Sequence, residues 1–144
     1  MPIKLAIIAP WALAVLAAVA ISQDVTRSAS DGVFTVEQAR RGQASFSANC
    51  AVCHGDEMDG SESGPSLSGD EFKLAWEGHN VGEIVDRIQS SMPPGQTGKL
   101  SRETDTEIAA YILLFNKYPA GTTELPSSAE ALKQIRIDAV KTNK

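Results

Sequence analysis

A chain of 144 residues with 42% hydrophobic content has room for one compact domain with extensions at its ends, and two full domains would not fit. The 13 Lys plus Arg against 18 Asp plus Glu give a formal net charge of -5, and no basic patch is interleaved with aromatics, which excludes a nucleic-acid partner. Only 6% of residues are aromatic, so part of the apolar interior is expected to come from a bound cofactor.

The first element is a targeting segment. Lys4 precedes an Ala-rich apolar run from Leu5 to Ile21, and Ala18-Val19-Ala20 is an A-x-A site for signal peptidase. Residues 1–20 are read as a signal peptide and the mature chain as beginning near Ile21. The alternative is an uncleaved membrane anchor, because the run is just short of the ~20 residues of a spanning helix. Either way the folded part is expected outside the cytoplasm, in the periplasm, where unoccupied thiols oxidise. Residues 21–34 are polar without periodicity for most of their length and read as a flexible leader.

The domain proper is expected over 35–118. Thr35 and Gln38 form a capping box, and Phe34 can staple onto Ala39, so a helix should start at Val36. Val36, Ala39, Gly42 and Phe46 share one face, with Arg40, Arg41 and Gln43 towards water. Gly42 weakens the helix but allows another backbone to approach closely.

Directly after this helix stands Cys50-Ala51-Val52-Cys53-His54. Two cysteines separated by two residues match the two haem vinyl groups, and the next histidine is then directed at the iron, so C-x-x-C-H reads as attachment of one haem c through Cys50 and Cys53. A structural zinc site lacks its second ligand pair, since His79 is the only other candidate. A thioredoxin-like motif lacks its βαβ context, and a plain disulfide leaves His54 unexplained.

An electron carrier needs a second axial ligand opposite His54, and Met92 and His79 are the candidates. Met58 is too near His54 along the chain to reach round the ring. Met92 lies in Ser90-Ser91-Met92-Pro93-Pro94-Gly95, where two prolines stiffen an extended loop able to hold a thioether. His79 reads as a solvated loop residue. Between the ligands, 56–69 is a long Gly, Ser, Pro and acid-rich loop whose course Pro65 helps to set. Trp76 is either core or a donor to a haem propionate.

Asn80 opens a short amphipathic helix carrying Ile84, Val85 and Ile88 towards Met92. Ser101 caps a longer helix with Glu103 and Asp105 at its positive end and Ile108, Tyr111, Ile112 and Phe115 on one face. Pro119 limits it, and its natural partner is the Gly42 and Phe46 face. Residues 119–144 are read as a C-terminal helical extension: a loop over 120–125, then a capping box at Ser127 and Glu130 before Leu132, Ile135 and Ala139.

In this order, the Gly42 and Phe46 helix, the Cys50 to His54 motif, Met92-Pro93 and Ala110-Tyr111-Ile112 resemble the class I c-type cytochromes, small monohaem bacterial proteins, over about residues 35–116. The resemblance implies an all-α cytochrome c fold wrapped around covalent haem c, here with an extra C-terminal helix. It implies proximal His54, distal Met92, a Pro65 carbonyl that orients His54, and contact of Gly42 and Phe46 with the Tyr111 helix. Similar proteins are not enzymes but periplasmic single-electron carriers, passing electrons from a dehydrogenase to a terminal oxidase or another cytochrome. Two further readings stay open: a haem subunit fixed to a dehydrogenase complex, and a haem sensor or enzyme with a labile distal ligand. The acidic loop after His54 and the helical tail depart from the minimal pattern and leave the partner open.

Overall fold

The computed structural model describes residues 26–140. The signal segment over 1–20 and the start of the leader lie outside the described residues. Six helices carry the architecture: α1 (Val36–Asn49), α2 (Ala51–His54), α3 (Gly69–Trp76), α4 (Val81–Ser91), α5 (Arg102–Phe115) and α6 (Ala129–Lys133). Two short strands, β1 (Arg27–Ser28) and β2 (Ile135–Arg136), pair in parallel. Among the described residues no helix is long and apolar enough to cross a membrane.

The helix starts follow local chemistry. Thr35 accepts from the Gln38 N–H, Ser101 from the Thr104 N–H, and Asn80 and Glu83 close a full capping box. At Thr35 only half of the expected box forms, because the Gln38 side chain turns inward instead. Helices α1 and α5 make the largest helical contact of the fold. Gly42 is buried there against the Glu107 carbonyl, and Phe46 meets Tyr111 edge-on with centroids 5.6 Å apart. Ile84, Val85 and Ile88 of α4 join Ile108 and Ile112 of α5 in the core.

Three departures from the sequence reading concern the chain ends and the long loop. The leader expected to be flexible is ordered from residue 27: Ala29, Val33 and Phe34 are buried, and the Phe34 carbonyl accepts from the Gly121 N–H at 2.7 Å. Its three apolar side chains bury without any regular period, which is why no element is visible in it. The C-terminal extension is not one helix to Ala139. The helix α6 is capped by Ser128, not Ser127, and ends at Lys133; after a turn, Ile135 and Ile137 face inward while Arg136 faces out. That alternation of β-branched residues is a strand period, and β2 pairs with β1. Helix α3 occupies Gly69–Trp76 with Phe72 as its buried anchor, starting at the last residue of the loop expected over 56–69.

Residues 118–140 thus form a strap rather than a helical cap. Its Ile137 exchanges backbone hydrogen bonds with Gly78 and His79, both at 2.9 Å, and Tyr118 Oη donates to the Asp138 carbonyl at 2.7 Å. Gln38 holds the strap to α1: its Nε2 donates to the Leu125 carbonyl at 3.0 Å and its Oε1 accepts from the Leu125 N–H at 2.8 Å. Both residues are buried, so Gln38→Ala leaves two backbone groups unpaired in a dry site. It is expected to cost about 2–4 kcal/mol in urea denaturation and to make 118–128 the first segment cut in limited proteolysis.

Candidate haem site

The end of α1 builds the attachment motif. Cys50 caps the helix with its N–H on the Phe46 carbonyl at 2.7 Å, and the chain turns at once into α2, where the Cys53 and His54 N–H groups reach back to the Cys50 carbonyl at 3.1 and 3.0 Å. One helical turn therefore brings Cys50, Cys53 and His54 to a single cavity, which Val52, 87% exposed, also borders. Both cysteines are half-buried, and no disulfide joins them. Burial, helped by the nearby Asp105 carboxyl, pushes the Cys50 thiol up to about 11, so before attachment it is a protonated thiol.

His54 is buried, and its Nδ1 lies 2.8 Å from the Pro65 carbonyl oxygen. A carbonyl can only accept, so Nδ1 carries the proton and Nε2 is left as the lone-pair donor towards the cavity. The loop that presents Pro65 is tied down at several points. Ser61 Oγ donates to the Cys53 carbonyl at 2.6 Å, and the Met58 carbonyl accepts from Leu67 N–H, Ser66 Oγ and Ser68 Oγ. Met58 itself is fully buried packing, with φ of 54°. Asn116, past the end of α5, clamps the same loop by donating to the Leu67 carbonyl at 2.9 Å and accepting from the Gly69 N–H at 3.0 Å. Nothing in the sequence pattern marked Asn116 for this task.

Met92 caps α4 with its N–H on the Ile88 carbonyl at 2.9 Å and extended φ and ψ, and its half-buried side chain borders the same cavity as His54. The Met92–Pro93 bond is cis. Trp76, the last residue of α3, borders the cavity too and stands edge-on to His79 at 6.0 Å. His79 is not among the cavity residues: it is exposed and its Nδ1 pairs with Glu83 at 2.7 Å.

The cavity measures about 740 Å3, within the ~300–1,000 Å3 range of cofactor clefts. Ile84, Ile88, Ile108, Ile112 and Phe46 give it apolar walls, which suits a flat macrocycle tied by two cysteines. Such a group fits the residues present.

One buried group near the site has no partner. Asp105 is 1% exposed and neither carboxylate oxygen is hydrogen-bonded. Burial pushes its carboxyl up to about 6 against the weaker pull of Arg102. The folded state therefore holds this proton more tightly than the unfolded chain. The associated stability is present at about pH 4 and is lost as pH rises through about 6, to the extent of about 3 kcal/mol. Guanidinium titrations of Asp105→Asn against the native protein are expected to show a stability difference that grows in favour of the variant between pH 4 and 7.

Comparison with known proteins bears on the fold and the family. A family model described as "Cytochrome C oxidase, cbb3-type, subunit III" matches residues 37–112. A thiosulfate dehydrogenase of Stutzerimonas stutzeri (strain A1501) is 35% identical over 78 residues, 50% of this chain and 25% of that protein. The crystal structure of the sulfane dehydrogenase SoxCD from Paracoccus pantotrophus superposes with a TM-score of 0.54 at 24% identity, covering 74% of this chain and 61% of that one, a likeness of fold. The chain thus spans about a quarter of the curated relative. Because the matched segment takes in both the cysteine motif and most of α5, more than half of the chain, this protein belongs to the cbb3-type subunit III family of c-type cytochromes, electron-transfer proteins with covalently bound haem c.

Proposed function

We propose that this cytochrome is an exported single-electron carrier with His54 and Met92 as its axial ligands, accepting electrons from a dehydrogenase and delivering them to a downstream acceptor such as a terminal oxidase. The observation that carries the reading is the convergence of a tautomer-fixed imidazole and a loop-held thioether on one apolar cavity. Haem c supplies reversible one-electron chemistry when bound. The chain's own part is to hold both ligands in place. His54 is fixed through Pro65, and Met92 through the end of α4, so little need rearrange when an electron arrives.

Export rests on the Ala18-Val19-Ala20 site, and a periplasmic protein whose mass begins at Ile21 is the outcome that fits it. The net charge of -5 suits a partner with a basic docking surface and a small, transient interface. Electron-transfer rates with a basic redox protein are expected to fall as ionic strength rises from 10 to 200 mM, by about tenfold or more. A rate indifferent to salt removes the basic-partner reading. Carbon monoxide binding to the reduced native protein at neutral pH would favour a sensor or enzyme over a carrier.

A second reading is a haem subunit held in a dehydrogenase complex. Its support is that both relatives are named as dehydrogenases of sulfur compounds and that this chain covers only a quarter of one of them. Purification as a free monomer counts against it, and co-purification with a larger catalytic subunit counts for it.

A further inference from the structure

Asp105, Ile108 and Ile112 follow one another at three- and four-residue steps and so share one face of α5. The two isoleucines are walls of the haem cavity, and the carboxyl stands one helical turn before them, 1% exposed, with neither oxygen hydrogen-bonded. Its charge reaches the attachment edge of the cavity. After burial itself, the Asp105 carboxylate is the strongest influence holding the proton on Cys50, which borders that cavity.

No cation is free to neutralise it. Arg102, the basic group that acts on Asp105, spends all three guanidinium nitrogens elsewhere: Nε on the Ser127 carbonyl at 2.9 Å, Nη1 on Gln89 Oε1 at 2.8 Å and Nη2 on Asp86 Oδ1 at 2.9 Å. The other charged groups on the helices packed against α5 turn away. Arg41 of α1 pairs with Glu107 and Glu124, whereas Glu37 and Arg40 of α1 and Glu83 and Arg87 of α4 are exposed. Once Cys50 is a thioether it has no proton to exchange, and His54 of α2 has its Nδ1 proton on the Pro65 carbonyl. Asp105 is then the buried group of this region left able to gain or lose one.

A buried carboxylate with no partner is answerable to any charge that changes nearby, because little water or counter-charge screens it. A ferric porphyrin with neutral axial ligands carries one net positive charge at its centre, and reduction removes it. The ionised form of Asp105 therefore favours the oxidised haem, and the protonated form favours the reduced one.

We infer that Asp105 couples proton uptake to electron uptake, so that this protein moves a proton with its electron. One electron enters from the donor protein and up to one proton enters from water onto a carboxylate oxygen of Asp105; both leave when the acceptor takes the electron, and no other bond is made or broken. Arg102, three residues earlier and with a quarter of its side chain exposed, brings solvent within one side-chain layer of the carboxyl. The inference rests on the carrier reading and on haem attachment at Cys50 and Cys53, but not on which group holds the distal position.

The test compares holoprotein of the native chain, Asp105→Asn and Asp105→Leu. Reduction equilibria are measured from about pH 4.5 to 8.5, together with reduced-minus-oxidised infrared spectra near neutrality. The native reduction constant is expected to fall about three- to tenfold more than that of either variant as pH rises, with native and Asn profiles meeting at the acid end, where Asp105 carries its proton. On reduction the native protein should gain the carbonyl stretch of a protonated carboxyl, and Asp105→Asn should lack that band. The haem carboxylates and His79 titrate in all three proteins, so the difference between profiles belongs to Asp105. Parallel pH profiles in native and Asn proteins, or an infrared band that survives in Asp105→Asn, overturn this inference alone. A protein with no reversible haem couple overturns the carrier reading and this inference with it. Should Asp105→Leu fail to fold, Asp105→Asn decides by the same criteria.

Discussion

Met92→Ala is expected to abolish the far-red absorption of the oxidised protein and to lower its midpoint potential by on the order of 0.1 V or more, within the ~0.8 V over which axial ligands set haem potentials. The reasoning starts from the end of α4. Met92 is the first residue past the helix, its N–H still bound to Ile88, and its side chain is committed to a cavity that otherwise offers His54 but no second histidine. His79 stands outside that cavity, held by Glu83. The Ala variant should keep its covalent haem, since Cys50, Cys53 and the Pro65 to His54 bond are untouched, and its reduced form should bind carbon monoxide. An Ala variant with an unchanged potential and band would show that another group takes the distal position.

Gly42→Val is expected to prevent accumulation of folded holoprotein, and Gly42→Ala to lose about 2–3 kcal/mol in guanidinium denaturation. Two effects oppose one another here. Replacing a glycine inside a helix by alanine gains about 1 kcal/mol of helix propensity. Against that, a Cβ on Gly42 would lie inside the Glu107 carbonyl and against the Ile108 N–H, both backbone groups of α5 that cannot swing aside. Overpacking typically costs about 1–3 kcal/mol even where side chains can give way, and here α1 and α5 must separate. Separation also breaks the Phe46 and Tyr111 contact on one wall of the haem cavity. The steric term wins, and a branched side chain enlarges it.

Much of the site was legible because its signals are local. The Cys50 to His54 motif is a contiguous run that one helical turn converts into a three-residue face, and Thr35, Asn80 and Ser101 announce their helices through side chains that reach only three residues onward. What stayed hidden depends on distant pairing. Gln38 resembles the second half of a capping box, yet its amide is drawn to Leu125, 87 residues away, where two buried backbone groups need it more. Ile135 has suitable spacing from Leu132 for a helix, but alternation of Ile135, Arg136 and Ile137 beside β1 gives a strand. Asp105 passes as a favourable acid near a helix start until packing removes its water.

The parallel pairing of Arg27 with Ile135 and Ser28 with Arg136, together with the Ser30 hydroxyl near the Ala139 carbonyl, brings the two ends of the described fold side by side. A domain whose entry and exit coincide behaves as a cassette: joined in tandem or spliced into a surface turn of a larger oxidoreductase, it adds a redox centre without its own pocket being opened. The same closure makes it suited to circular permutation, with a short linker from 140 to 26.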